Sequence, residues 1–225
     1  MQALEREFQI LREGNVALRR GELLAFGVVR APTSVEALQA VSQLLLEANR
    51  TVLRTTLPGV EDVNRQAIEI RRVEVEQLAR QIGDGREYIV RVLSAANYLR
   101  GETGVRVVAD FLPNRIIFFK GDILANLEID PKAMPIEEVR QRIDLLLLTS
   151  QLRARNSGMV QDTIQLGDGS TTTFLSFLEG LQTELQQYDE PITIRAVASE
   201  VLYTAGPLRM ELVAMRGGEV VARTG

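Results

Sequence analysis

The strongest constraint on the fold is an internal repeat of short sequence phrases. "RGELLA" at 20–25 returns as "KGDILA" at 120–125 and, more loosely, as "RGGEVVA" at 216–222. The apolar and charged residues between these phrases also recur in the same order. Self-similarity with a period of about 100 residues indicates two copies of one unit, because a solenoid needs three or more repeats.

The first copy begins with the pattern of a strand pair followed by a helix. "NVALRRGELLAFGVV" predicts a β-hairpin that turns at Arg20 and Gly21, since two apolar runs flank the glycine. The next stretch, 31–54, predicts a helix with Thr33 as N-cap and Glu36 as its capping-box partner. The face of this helix expected to point inward holds Leu38, Val41, Leu45, Ala48 and Val52.

A short strand and a second helix complete the first copy before its last strands. "AIEI" at 67–70 predicts the strand. Residues 73–82 predict the helix, and its inward side chains are expected to be Val75, Leu78, Ala79 and Ile82. The strands that follow come from the β-branched runs of 87–118.

The second copy repeats this order. Its first helix aligns "LLL" with "LLL" and places Glu137 on the position of Glu36, with Pro135 at the first helical position. "TIQL" at 163–166 stands where "AIEI" stood. A second helix then has five apolar residues on one face: Phe174, Phe177, Leu178, Leu181 and Leu185.

These patterns predict an α+β (mixed α/β) fold with two pseudo-symmetric αβ repeats joined by β-hairpins. The predicted repeats are residues 15–118 and 119–225, packed as one globular unit. Residues 1–14 predict a short helix whose apolar seam is Leu4, Phe8 and Leu11. We interpret this helix as the end of a coiled-coil stalk.

Composition excludes several kinds of chemistry. The chain has no cysteine and no histidine, so disulfides, thiolate metal sites, cysteine nucleophiles and Ser-His-Asp triads are excluded. The net charge of −4 makes broad binding to a phosphate backbone a poor expectation. No catalytic constellation gathers in the sequence, which favours a non-enzymatic protein without a cofactor.

Two sets of charged residues are candidates for a site. Glu22, Asp122 and Glu219 follow the glycines of the repeated phrase, where they could hold a divalent metal or lie in turns and face the Arg or Lys beside them. The turn interpretation is favoured for these acids, and for "GDG" at 83–85 and 167–169. The second set could form a basic stripe for phosphate or a solvated, ion-paired face: Arg140, Arg142, Arg153 and Arg155.

The repeated phrases resemble a bacterial family known as domain of unknown function 3084, found mainly in cyanobacteria. The resemblance rests on "RGELLAFGVV", "KGDILA", "RQRIDLLL" and "GDGREYIVRVLSAANYL", and it covers about residues 4 to 225. It implies a parent protein with a membrane anchor, a long coiled coil and then this globular region. It implies no known activity, so no catalytic residue is carried over.

The sequence favours a protein-interaction or scaffold domain. The expected partner is another protein or a second copy of the chain, with a homodimer formed through the N-terminal helix. A nucleic-acid-binding or degenerate nuclease-like domain is the alternative, and an anion or small-molecule sensor is a third hypothesis. The chain itself is expected to be soluble, with any membrane contact made by segments outside it.

Overall fold

A computed structural model describes residues 16–59, 65–130 and 136–225, apart from the side chain of Ile136. The predicted stalk helix at 1–14, with Leu4, Phe8 and Leu11, lies outside the described residues. Pro135 does as well.

The chain divides into two compact units, Met1–Asn114 and Arg115–Gly225. The sequence repeat predicts a boundary after residue 118, whereas the contacts within the chain place it between Asn114 and Arg115. The difference arises because Ile116–Phe118 pairs with the strand Leu202–Tyr203, which belongs to the second unit.

The first unit carries a four-stranded sheet in the order β2-β4-β6-β3. The pairs β2–β4 and β4–β6 are antiparallel, β3 is parallel to β6, and β1 pairs separately with β5. The elements are β1 (Val16–Leu18), β2 (Leu23–Arg30), α1 (Ser34–Thr56), β3 (Ile68–Glu69), α2 (Arg72–Ile82), β4 (Glu87–Ser94), β5 (Tyr98–Leu99) and β6 (Val105–Pro113).

The second unit carries a five-stranded sheet in the order β13-β12-β10-β8, with β9 parallel to β12. Here β7 pairs with β11, as β1 pairs with β5 in the first unit. The elements are β7 (Ile116–Phe118), β8 (Ile123–Ile129), α3 (Ile136–Asn156), β9 (Ile164–Leu166), α4 (Thr171–Gln187), β10 (Ile192–Ala198), β11 (Leu202–Tyr203), β12 (Leu208–Arg216) and β13 (Glu219–Arg223).

Within the described ranges, both units combine two helices with several strands, so the predicted α+β class is confirmed. The order of elements from β1 to β6 is the same as the order from β7 to β12, and the strand pairings correspond. Strand β13 has no counterpart among the described elements of the first unit. The origin of the two units by duplication stays a prediction.

The predicted hairpins at the first two phrases are wrong. The turns do form, with positive φ at Gly21 and Gly121. However, β2 and β8 pair with β4 and β10, while the strands before the turns pair elsewhere. The reason is that each turn bonds to the central strand: the Gly21 N–H donates to Ser94 O at 2.8 Å. The third phrase does close a hairpin, between β12 and β13.

The helices pack on one face of each sheet through corresponding residues. The predicted cap of α1 is confirmed, since the Thr33 hydroxyl accepts from the Glu36 N–H at 3.3 Å. The buried residues of α1 are Ala37, Val41, Leu44, Ala48, Asn49, Val52, Leu53 and Thr56. Leu45 is half-buried against this core, so of the residues predicted to point inward only Leu38, which is exposed, was placed wrongly. Helices α2 and α4 bury or half-bury every residue predicted for them.

Burial also corrects the alignment of α1 with α3. The buried residues Val139, Ile143, Leu146, Ser150 and Ala154 of α3 occupy the positions of Ala37, Val41, Leu44, Ala48 and Val52 in α1. Glu36 therefore corresponds to Glu138 and not to Glu137. In the same register, the first leucine of "LLLL", Leu145, corresponds to Gln43.

Candidate functional site

The acids of the repeated phrase are structural at their first two positions. A carboxylate oxygen of Glu22 accepts from the Arg19 N–H at 2.7 Å, and one of Asp122 accepts from the Phe119 N–H at 2.8 Å. Each acid therefore caps the turn that its glycine forms. It bonds to the backbone, whereas the sequence predicts that it faces the neighbouring basic side chain. Glu219 lies at the exposed start of β13, opposite Arg216.

The acids of the phrase serve separate turns. Glu22 and Asp122 belong to separate units, and each bonds within its own turn. Across 16–59, 65–130 and 136–225, no group of three or more acidic side chains is placed to hold a metal ion. The geometry therefore gives a metal-dependent reaction no support at this phrase.

The two "GDG" segments are also turns. Asp84 accepts from the Arg86 N–H at 3.0 Å and from the Tyr88 hydroxyl at 2.9 Å. These bonds, the one from Arg86 first, lower the pKa of Asp84, and the bond to Asp84 raises the pKa of Tyr88. Asp168 accepts from the Ser170 N–H at 2.8 Å, which lowers its pKa in the same way.

Most of the candidate arginines on α3 have partners within their own unit. Arg142 bonds to Glu138 at 3.0 Å, and Arg155 bonds to Asp162 at 2.5 Å. Arg153 donates to Leu124 O at 3.3 Å and lies 5.9 Å from the centre of the Phe118 ring. Arg140 is exposed. Because three of the four guanidinium groups are engaged, the arrangement does not favour a phosphate site.

The most distinctive surface is a row of three leucines on α3, which we call the leucine stripe: Leu145, Leu148 and Leu152. Their exposed fractions are 60%, 50% and 48%. At about 100° per residue, spacings of three and four place the three side chains on one narrow face. That face lies opposite the buried face that includes Ile143, Leu146 and Ser150, so the stripe points to solvent.

Helix α1 shows that the fold does not require leucine at these positions. The counterparts of Leu145 and Leu152 in α1 are Gln43 and Arg50, which are both exposed and polar. Only Leu148 has an apolar counterpart, Leu46, which is also exposed. Since corresponding helices on corresponding sheets differ here, the stripe calls for an explanation other than packing within its unit.

A groove runs beside the stripe. It has a volume of about 360 Å³ and lies between α3 and β8, the last strand at that end of the sheet. Its floor and walls combine apolar side chains with one guanidinium, and they comprise Ala125, Asn126, Leu127, Arg142, Leu145, Leu146 and Thr149. Leu145 belongs to both features, so a side chain seated in the groove would contact the stripe.

Comparison with known proteins connects this surface to a family. Residues 118–225 match the family described as "DUF3084-associated C-terminal helical hairpin". The resemblance to the DUF3084 proteins is confirmed. The matched segment contains α3 and α4 together with strands β8 to β13, so the family description names only its helical part. The leucine stripe lies inside this segment.

A longer relative covers nearly the whole chain. An uncharacterized protein of Nostoc sp. is 43% identical over 218 residues, which is 96% of this chain and 42% of the relative. The chain therefore spans less than half the length of the curated relative that it matches. No solved structure matches the chain. None of the described helices has the length and apolar character needed to span a bilayer.

The leucine stripe was not predicted from the sequence, although the sequence contains a signal for it. "LLLL" at 145–148 is a run of four leucines, and the repeat alignment matched three of them to Leu44 to Leu46 without indicating which of them are exposed. Only the burial of Val139 and Ile143 fixes which side of α3 faces the sheet. The expected partner residues Leu4, Phe8 and Leu11 lie outside the described part of the chain.

Proposed function

We propose that this region is a non-catalytic protein-interaction module that binds an amphipathic helix on the leucine stripe. The observation that supports this is the exposure of three leucines on one face of α3, where α1 has glutamine and arginine at two of the three positions. Apolar area held in water is unfavourable by about 25 cal/mol per Å², so covering the stripe stabilises a complex.

The spacing of the stripe identifies the kind of partner. Leucines three and four residues apart match the a and d positions of a coiled-coil seam, which accept knobs from another helix. A helix with the same spacing therefore fits better than an extended strand or a small ligand. The adjoining groove, with Leu145 on its wall, offers room for one further side chain.

A second copy of the chain supplies such a helix. In an antiparallel pair of α3 helices, a two-fold axis near Leu148 would bring Leu145 of one copy against Leu152 of the other. The stripe is thus its own complement, as an isologous interface requires. This proposal keeps the homodimer expected from the sequence and gives it a surface that does not depend on residues 1–14.

Sedimentation equilibrium tests the proposal. The variant carrying Leu145→Gln and Leu152→Arg takes the residues of α1, so its fold should be retained. We expect the intact chain to dimerise and this variant to dimerise about tenfold or more weakly, because two apolar contacts are lost from each copy. The matched control is Leu46→Gln, which removes an equally exposed leucine from α1 and should leave the dimer unchanged.

The contribution of residues 1–14 can be separated from that of α3. Leu4→Gln with Leu11→Gln in the intact chain removes the seam expected from the sequence. If this variant is monomeric while the α3 variant still dimerises, the stripe is not the interface and the proposal is wrong. A wild-type chain that stays monomeric at high concentration contradicts it equally.

In the full protein, we propose that this module ends a coiled-coil stalk whose anchor lies in a membrane. The support is the amphipathic pattern of residues 1–14 and the resemblance to the DUF3084 proteins. Fractionation of the full-length protein tests this arrangement. Recovery of the protein in membranes, and its release by detergent but not by salt, is the expected result, and full recovery without detergent contradicts it.

A further inference from the structure

Strands β6 and β12 occupy corresponding places in the two sheets. One side of each pairs along its length with a central antiparallel strand, β4 or β10. The other side begins with a short parallel strand: Ile68 of β3 lies opposite Val105, and Ile164 of β9 lies opposite Leu208. The two strands can therefore be compared residue by residue from these pairs onward.

The rest of the outer edge of β12 is covered by the strand that follows it. Val213–Arg216 pair with β13 in antiparallel orientation. Beyond them, the Thr224 N–H donates to Leu212 O at 3.0 Å, and the Leu212 N–H donates to the Thr224 hydroxyl at 2.9 Å. Helix α4 lies over this strand, since a Cβ placed on Gly180 would be 3.7 Å from the Ala222 Cβ.

In the part of the chain that the structure describes, the corresponding edge of β6 has no such cover. After Pro113 the chain turns toward β4, where the Asn114 N–H donates to Glu87 O at 3.0 Å, and β7 then pairs with β11. Among the strands of the described ranges, none pairs with β6 beyond Arg106 on this side. By alternation along the strand, Ala109 and Phe111 direct their backbone N–H and C=O groups outward.

A groove lies along this edge and could receive side chains from an added strand. It has a volume of about 350 Å³ and separates α2 from β6. Its lining combines apolar and polar side chains, namely Leu78, Val108, Ala109 and Phe111 with Glu74, Gln77, Gln81 and Asp110. Helix α2 therefore borders the edge of β6 as α4 borders β13.

Residues 107–112 lack most of the features that usually prevent strand addition, and Pro113, which has no N–H to donate, ends the open edge. Natural edge strands are protected by lysine, by proline, by bulges or by free charges. Residues 107–112 contain no lysine, and β6 pairs with β4 without a register shift. The one charge, Asp110, is held by Arg91 through two bonds of 2.8 and 2.6 Å. Val108 is half exposed beside it.

We propose that the outer edge of β6 binds an extended segment of a partner protein as an added antiparallel strand. The bound segment has the chemistry of β13, with small apolar side chains toward α2 and polar ends. Each residue of the segment opposite Ala109 or Phe111 exchanges backbone hydrogen bonds with it, which is the mode called β-augmentation. This site is separate from the leucine stripe and does not depend on the proposed function.

The probe for this site is a fluorescent peptide with the sequence of residues 218–225, which includes the strand covering β12. We expect saturable binding to the intact chain by fluorescence anisotropy. Val108→Lys places a charge on the edge without touching the core, and it should weaken binding about tenfold or more. The matched control is Val28→Lys on β2, an equally exposed valine on the opposite edge strand, which should leave binding unchanged.

Hydrogen exchange locates the bound peptide. The amides of Ala109 and Phe111 should exchange rapidly in the chain alone and become protected when the peptide is present. Four results overturn the proposal: no saturable binding at millimolar peptide, equal weakening by Val28→Lys, protection of these amides without peptide, or changes confined to β12. The variant Leu145→Gln/Leu152→Arg should bind the peptide normally, so failure of the stripe proposal would not affect this test.

Discussion

Asn49 connects helix α1 to the start of β3. Its side chain is buried, accepts from the N–H groups of Ala67 and Ile68 at 2.8 and 3.2 Å, and donates to Arg65 O at 2.9 Å. The corresponding residue of α3 is Gln151, which makes one such bond, to Asp162 O at 2.7 Å. Both amides tie a helix to the chain that leads into the parallel strand.

Replacing Asn49 should therefore be costly. Asn49→Ala leaves buried backbone groups without partners, and we expect a loss of about 2–3 kcal/mol in the free energy of unfolding. Gln151→Ala is the matched control, with an expected loss below about 1 kcal/mol because one bond is removed at a less buried site. Urea unfolding followed by circular dichroism measures both, and equal losses would contradict this role.

Asp84 makes the stability of the first unit depend on pH. Its folded-state pKa is lowered below its ordinary value of 3.8, so its contribution is present above that value and is lost as the pH falls through the folded-state pKa. We expect Asp84→Asn to lower the urea midpoint at pH 7. The difference from the wild type should shrink as the pH falls below 3.8 and through the folded-state pKa, because the carboxyl group is then protonated. A difference that is the same at both pH values would contradict the assignment.

At the scale of single elements, α3 has an apolar surface on two sides with different roles. Ile143 is buried against the sheet, whereas Leu145 faces solvent. The sequence predicts a helix here from its apolar period, but four consecutive leucines place apolar side chains on both the buried and the solvent-facing side of that helix. Periodicity alone therefore could not show which leucines are core, and the same ambiguity placed Leu38 inward in α1 in place of Leu44.

The two faces of α3 predict different responses to truncation. Ile143→Ala should lower the free energy of unfolding by about 2–5 kcal/mol, because it removes packed methyl groups and leaves a cavity. Leu145→Ala should change it by less than about 0.5 kcal/mol at concentrations where the chain is monomeric. Thermal or urea unfolding of dilute protein measures this. A large loss for Leu145→Ala would show that the stripe serves its own unit.

At the scale of the whole molecule, the sequence predicted the class of fold and the order of its elements. It did so because each element carries its own local signal, such as the Thr33 cap or the apolar face of α2. Strand pairing was not predictable in the same way. The glycine turns at Gly21 and Gly121 resemble hairpin turns in the sequence. Only their hydrogen bonds to Ser94 and Ala198 show that the strands after the turns pair with β4 and β10 and not with the strands before the turns.

The candidate surfaces were less accessible to prediction than the fold. The leucine stripe is recognised only when α1 and α3 are aligned by their buried residues. That alignment differs by one residue from the alignment that best matches the two sequences. The edge of β6 is open because the chain after Arg115 forms β7, which pairs with β11 and not with β6. The sequence does not show this choice of partner. Both surfaces become visible only when one unit is compared with the other.

The most direct test of the central claim uses the absence of cysteine from the chain. In the proposed antiparallel pair, Leu148 lies at the two-fold axis and faces its own copy, so Leu148→Cys should form an intermolecular disulfide under mild oxidation. Leu46→Cys, the matched position on α1, should stay monomeric on a non-reducing gel. A covalent dimer from Leu148→Cys alone is the predicted result. Equal cross-linking of both variants, or none from Leu148→Cys, would contradict the account.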